Sequence, residues 1–257
     1  MGENVIYEKD GPIGRITLNR PEKRNALNPD MLKELIDCFA LSSENKDLCV
    51  IYGAAGKDFT VGADLKYGYQ IMTDPDRADE AAEYLGNFQE LCRVMLDHEG
   101  ILISGLHGWV IGGGFEIHLA CDLRAASKDT TIMLPELSMG LMFSNASTKL
   151  LPRIVGEGRA KQLLLLGDKI NAQQAYDYGL LYHIAEDIDA LNQFIDETAQ
   201  AIVKKSPLAL RLAKKLIHEN QDADISTVLD SETEGMIATG QSEECIQRIK
   251  AFFEKKG

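Results

Sequence analysis

The stretch His107-Gly108-Trp109-Val110-Ile111-Gly112-Gly113-Gly114-Phe115-Glu116-Ile117-His118-Leu119-Ala120-Cys121-Asp122 organises the reading of this chain. An apolar run, Ile101 to Leu106, precedes it and predicts a buried strand. Three consecutive glycines follow. Phe115, Ile117, Leu119 and Ala120 then predict a short buried helix with Glu116 in its first turn. Bare glycine at Gly112 to Gly114 lets a ligand approach the main chain. A helix start leaves amide N–H groups unpaired, which suits a developing negative charge. An acid placed there is a candidate for proton transfer; the plain alternative is that Glu116 complements the helix dipole. Two other glycine motifs are excluded. A dinucleotide fingerprint starting at Gly112 would need glycine where Ile117 stands, and Gly53-Ala54-Ala55-Gly56-Lys57 is too short for a phosphate loop.

With 257 residues, 45% of them hydrophobic, the chain can bury a sizeable core. Its net charge of −13 argues against a general basic surface for nucleic acid, so an anionic ligand needs a local cluster of Lys and Arg. Five scattered cysteines without C-x-x-C spacing read as small apolar residues of a reducing compartment. No apolar run is long enough for a membrane span, and Met1-Gly2-Glu3-Asn4 has no signal-peptide pattern, so the expected location is the cytoplasm.

Outward from the centre, Ile13 to Leu18 predicts a strand, followed by a loop with three basic residues, Arg20, Lys23 and Arg24. Asn28 before Pro29 predicts an N-cap, and Met31, Leu32, Leu35, Ile36 and Phe39 share one helical face. Leu48 to Tyr52 is a second apolar strand, followed by the small-residue loop Gly53 to Leu65. The segment from Lys66 to Asp97 leans helical, with a turn at Asp74-Pro75-Asp76. Leu123 to Ser127 and Thr131 to Leu134 predict strands, and Pro135-Glu136 places a second carboxylate directly after one. Ser144 is expected to cap a helix through Leu150, Leu151 and Ile154; Asn171 to cap another that Gly179 closes. Leu180 to Ile184 is a further short strand, and the chain from Asp189 onward reads as helical, with a restart at Ser206-Pro207.

Taken together, the loop Asn19-Arg20-Pro21 to Asn25-Ala26-Leu27, Gly62-Ala63-Asp64, Gly112-Gly113-Gly114-Phe115-Glu116, Cys121-Asp122, Pro135-Glu136 and Leu151-Pro152-Arg153-Ile154-Val155-Gly156 resemble the crotonase superfamily, the enoyl-CoA hydratase and isomerase group. The resemblance implies an α/β fold, a spiral of ββα units over residues 1–195, with a C-terminal helical trimerisation region over 196–257 and assembly as a trimer or dimer of trimers. It implies an oxyanion hole from the N–H groups of Ala63 and Gly113, holding the thioester oxygen of an acyl-CoA as it becomes enolate-like. Losing one such donor costs about 3 to 4 kcal/mol in other systems.

Glu116 and Glu136 match the two glutamates of hydratases in this family, which add water across the 2,3 double bond of an enoyl thioester or remove it. Neighbouring carboxyl groups do not both ionise easily, so their roles separate: Glu116 is assigned the water and Glu136 the C2 proton. For coenzyme A, which comes as part of the substrate, the resemblance points to Lys23, Arg24, Ala26 and Lys57, and to Phe252 and Lys255 from a neighbouring subunit. Asp64, Leu65 and Gly112 border the same loops; Asp64 is either a third acid or a turn stabiliser. No metal and no further cofactor is implied. One departure stands out. Where hydratases usually carry Ile-Pro-Gly-Ala-Gly-Gly-Thr, this chain has Met142-Phe143-Ser144-Asn145-Ala146-Ser147-Thr148. Phe143 would reshape the acyl pocket, and Ser144 or Asn145 could bond a polar acyl group; the alternative is a helix start rebuilt with cap residues. Other enolate reactions on the same scaffold (isomerisation, C–C or thioester hydrolysis, decarboxylation) and a non-catalytic acyl-CoA binder are the competing readings. The five histidines have no zinc spacing, and Ser104 lies inside a strand instead of on an exposed elbow.

Overall fold

The computed structural model describes residues 2–254. Nine strands and eleven α-helices alternate along it: β1 Val5–Asp10, β2 Ile13–Leu18, α1 Pro29–Glu44, β3 Cys49–Ala54, α2 Leu65–Met72, α3 Ala78–Leu96, β4 Ile101–Leu106, β5 Trp109–Ile111, α4 Gly113–His118, β6 Leu123–Ser127, β7 Thr131–Met133, α5 Ser147–Val155, α6 Glu157–Leu166, β8 Ile170–Asn171, α7 Ala172–Asp177, β9 His183–Ala185, α8 Ile188–Val203, α9 Pro207–Glu219, α10 Ile225–Gly240 and α11 Glu243–Glu254. The six-stranded sheet runs β1-β2-β3-β4-β6-β9 and the small sheet β5-β7-β8. Successive turns give one strand to each sheet: β4 then β5, β6 then β7. That is the expected spiral of strand pairs and helices.

Both faces of the sheet's central strands are covered, which explains the near-continuous apolar runs of β3 and β4. In β3, Val50 and Tyr52 face the main core with α1 and α3, while Cys49 and Ile51 join Ile103, Ala125 and the α8 residues Leu191, Ile195 and Ala199 on the other face. Gly105 lets α8 settle onto β4, since a Cβ there would stand 2.3 Å from Ile195 Cδ1. The boundary expected at 195/196 thus falls inside one continuous helix packed on the sheet. Beyond it, α10 and α11 bury nothing, and Ile225, Met236 and Phe253 lie exposed.

Local signals were obeyed at most helix starts. Asn28 caps α1 with Pro29 at its first position, and Asn171 and Gln174 form a capping box on α7. Two expectations are corrected. Ser144 caps nothing; α5 begins after Ala146, whose φ of 55° is left-handed, and no side chain caps it from that position. The strand expected at 180–184 is confined to His183–Ala185, because Leu180 and Leu181 turn into the core. All five cysteines are free, and four are buried.

One buried ion pair ties the C-terminal helices down. Lys214 of α9 donates to Asp122 Oδ2 at 2.8 Å and to the Gly100 carbonyl at 2.8 Å, while Asp122 also accepts from Leu102 N at 2.7 Å. Removing one member leaves a buried charge uncompensated. Lys214→Met is therefore expected to lower unfolding stability by about 3 to 5 kcal/mol in a urea titration; a loss below about 1 kcal/mol, the usual yield of an exposed pair, would show that this contact is solvated.

Candidate active site

The floor of the site is a place where two main chains run side by side. Thr60 pairs with Val110 as an isolated parallel bridge, Thr60 N donating to Trp109 O and Ile111 N to Thr60 O, both at 3.1 Å. This register carries Ala63 alongside Gly113. Past Ile111 the chain swings at Gly112, φ +56° and ψ −134°, a conformation open to glycine alone. A Cβ on Gly62 would stand 2.6 Å from Ile111 O, and one on Gly114 would stand 2.3 Å from Thr60 Cγ2. Among the described residues neither Ala63 N nor Gly113 N donates a main-chain hydrogen bond. Gly113 opens α4, where N–H groups lack an intrahelical acceptor.

Three side chains clamp this arrangement, and sequence reasoning missed all of them. Buried Asn25 donates to Ala55 O and Asp58 O at 2.9 and 3.1 Å and accepts from Arg20 N at 2.8 Å. Thr60 Oγ1 donates to Asn25 O and accepts from Gly62 N. Tyr84 Oη accepts from Asp64 N and donates to Leu27 O. Each is a polar residue whose partner lies far along the chain or in another loop, so no local pattern announces it.

The two glutamates are both buried, Glu116 at 1% and Glu136 at 6% exposure, yet their surroundings differ. Glu116 Oε2 accepts from Ser144 N and Asn145 N at 3.0 Å each and from Ser147 Oγ at 2.6 Å. Glu136 opens a single 3₁₀ turn after β7, and its Oε1 lies 2.6 Å from where a Gly112 Cβ would be. Its Oε2 is buried with no partner among the described residues. Burial, with the Glu116 charge adding to it, pushes the Glu136 carboxyl up to about 7.

The divergent segment closes over these groups. Phe143 packs against the core, Ser144 contributes its amide to Glu116, and Asn145 Nδ2 donates to Gly113 O at 3.3 Å. Phe88 Cε1 would stand 3.3 Å from a Cβ on Gly113 and lines the same spot. Ser147, another residue that went unremarked, supplies the shortest contact to Glu116.

The residues expected to meet coenzyme A divide. Arg24 and Lys57 line one surface cavity of about 450 Å³ with Pro21, Asp58 and Trp109. Arg24, its side chain 52% exposed, is tied to Asp58 at 2.7 Å. Burial works against that carboxylate, but Arg24 and the Trp109 N–H hold Asp58 below the usual range. Lys169 stands 5.1 Å over the Trp109 ring, adding a third cation to the cavity's edge. Lys23 ends an exposed 3₁₀ turn, and Ala26 lies in the loop beyond it. Asp64 is the N-cap of α2 and pairs with Arg20 at 3.3 Å, which makes it the turn stabiliser and not a third acid. Leu65 is exposed at the start of α2. Phe252 lines a separate apolar cavity of about 340 Å³ with Ile249 and Ala209, and Lys255 lies outside the described residues. His118 is a core histidine: it hydrogen-bonds Ser104 at 2.7 Å, and burial pushes it down to about 3, so it is neutral. No cluster of metal-ligating side chains occurs among the described residues.

Comparison with known proteins gives the chain a family. The family model for enoyl-CoA hydratase/isomerase matches residues 8–257. The chain is 34% identical to a short-chain-enoyl-CoA hydratase of Clostridium acetobutylicum, covering 98% of this chain and 95% of that one. It is 32% identical to a crotonyl-CoA hydratase of Syntrophomonas wolfei, covering 99% and 96%. The crystal structure of an enoyl-CoA hydratase from Bacillus anthracis superposes with a TM-score of 0.91 at 29% identity, covering 98% and 96%. The chain belongs to the enoyl-CoA hydratase/isomerase family.

Proposed function

We propose that this protein adds water across the 2,3 double bond of an enoyl-CoA thioester, and removes it in reverse. The observation that carries the reading is the pair of buried carboxyls on one glycine floor, Oε2 of one crowded with three donors and Oε2 of the other without a partner among the described residues. The thioester oxygen sits between Ala63 N and Gly113 N. Glu116 takes a proton from a water whose oxygen bonds to C3, and the electron pair moves onto the thioester oxygen. The enolate then collapses and C2 takes the proton of Glu136. The proton held by Glu116 returns to Glu136 after release, and the net change is one water added. Two amide donors act on charge that develops only during the reaction, which is where such contacts accelerate it.

Arg24, Lys57 and Lys23 are the cations offered to the phosphates of coenzyme A, with Ala26, Leu65 and Gly112 along the main-chain wall; no further cofactor is needed for this chemistry. The exposed apolar faces of α10 and α11 support assembly into a trimer or a pair of trimers, through which a neighbour's Phe252 and Lys255 would reach the ligand. No helix among the described residues is long and apolar enough to cross a membrane, and the proposed location is the cytoplasm. One observation favours a second reading, double-bond isomerisation. The three donors on Glu116 Oε2 compete with a water there. Isomerisation leaves the substrate's mass unchanged, whereas hydration adds one water.

Loss of enoyl absorbance with crotonyl-CoA, read beside product mass, tests the proposal. Glu116→Gln and Glu136→Gln are each expected to lower kcat/KM by about 10² to 10⁴; undiminished turnover in both would reject the mechanism. Because Glu136 must be protonated to donate, and its pKa is raised to about 7, the hydration rate should fall as pH rises through 7, tenfold per unit once well above it. A profile flat from pH 6 to 9 would remove Glu136 from that role. Gly114→Ala should lower kcat by about 10- to 100-fold by driving the two loops apart at buried Thr60; an unchanged kcat would show that their spacing is immaterial.

A further inference from the structure

Asn145 is a side chain that the two-glutamate mechanism leaves unused. It is 1% exposed. Its main-chain N–H donates to Glu116, its Nδ2 donates to Gly113 O at 3.3 Å, and its carbonyl accepts from the Cys92 thiol. Its Oδ1 is buried and has no partner among the described residues. The amide cannot simply be turned over: a carbonyl oxygen only accepts, so the NH₂ must face Gly113 O and the oxygen must be the other arm. Buried acceptors without donors are uncommon in folded chains, and each marks a place where a donor is missing. The amide that carries this oxygen is anchored on the glycine floor through Gly113 O, with Glu116 bonded to the same residue and Glu136 against Gly112 next door.

The second observation concerns Glu116. Each carboxylate oxygen offers about two lone-pair sites, and Oε2 already meets three donors. Only Oε1 remains for a water. A water arriving at C3 has two O–H groups, one to surrender and one to keep, and the kept one needs an acceptor in a dry site. We infer that Asn145 Oδ1 is that acceptor. It is a positioning residue that takes the O–H not transferred to Glu116, and it holds the same hydrogen bond to the 3-hydroxyl once the C–O bond has formed. The inference rests on the hydration reading and names what orients its water.

The test compares ligands that differ only by that hydroxyl. Butyryl-CoA and each enantiomer of 3-hydroxybutyryl-CoA are titrated calorimetrically into Glu136→Gln protein, which suppresses turnover, with and without Asn145→Ala or the near-isosteric Asn145→Leu. With Asn145 present, one hydroxy enantiomer should bind about tenfold tighter than butyryl-CoA, the yield of one well-made hydrogen bond. Either substitution should bring that preference to within about twofold while leaving the butyryl-CoA affinity nearly unchanged. With Glu136 restored, the same substitutions should lower kcat for crotonyl-CoA and leave KM in place, since that substrate carries no hydroxyl. No hydroxyl preference in the Asn145 protein overturns the inference even if both variants fail to fold. So does a preference that survives substitution, or an equal weakening of both ligands, which marks a structural role. Binding of butyryl-CoA without hydroxyl discrimination sinks only this inference; binding of neither acyl-CoA ester sinks the hydration reading with it.

Discussion

The rest of the structure depends on two main chains lying closer than side chains allow. Thr60 and Val110 begin the approach as an ordinary parallel bridge. Beyond them the ladder stops, because Gly62 and Gly112 both take positive φ and turn their backbones away from further pairing. What would otherwise be the next rungs are left as donors without acceptors. The anion hole proposed here is a sheet interrupted one residue early, in a position only glycine can occupy. The clamps at Asn25, Thr60 and Tyr84 hold that interruption open against the tendency of loose loops to satisfy their own amides.

The architecture around the floor follows from this need for rigidity. β3 of the large sheet leads into the loop of Gly62 and β5 of the small sheet leads into Gly112, so the floor is held from two different sheets. The large sheet is in turn held from behind by α8 and by the Lys214–Asp122 pair, and Asp122 is only six residues beyond Glu116. The ion pair is thus a stability device placed where slack in α4 would otherwise reach the reacting groups.

Much of this was legible before any coordinates, and unevenly so. Strands β3 and β4 carry near-continuous apolar runs because both faces are buried, and Asn28-Pro29 and Asn171 speak for their helices through contacts three residues away. β1 was not read, since as an edge strand it buries Val5 and exposes most of the remainder, and β5 and β8 are too short to show a period. The resemblance located both glutamates and the two small-residue loops. Ser144 was misread for an instructive reason. Its type and position signal a local cap, but the acceptor serving that turn is Glu116, 28 residues earlier, and the serine contributes only its amide. Of the two readings open for Asp64 the structure has the local one, a helix cap, whereas Asn25 and Ser147 looked ordinary and serve distant partners. Long-range partners invert local appearances in both directions.

The two carboxyls show why environment and not residue type assigns a role. Glu116 and Glu136 are the same side chain at nearly the same depth, on either side of Gly112. Glu116 Oε2 is met by two amides and a hydroxyl from the segment Ser144 to Ser147. Charge at Glu136 is answered only by its own main-chain N–H, which burial and its neighbour's charge outweigh, so a proton stays on it up to about pH 7. The residues Ser144 to Ser147 therefore do more than line a pocket: they give two amides and a hydroxyl to one glutamate, while Oε2 of the other stays without a partner among the described residues.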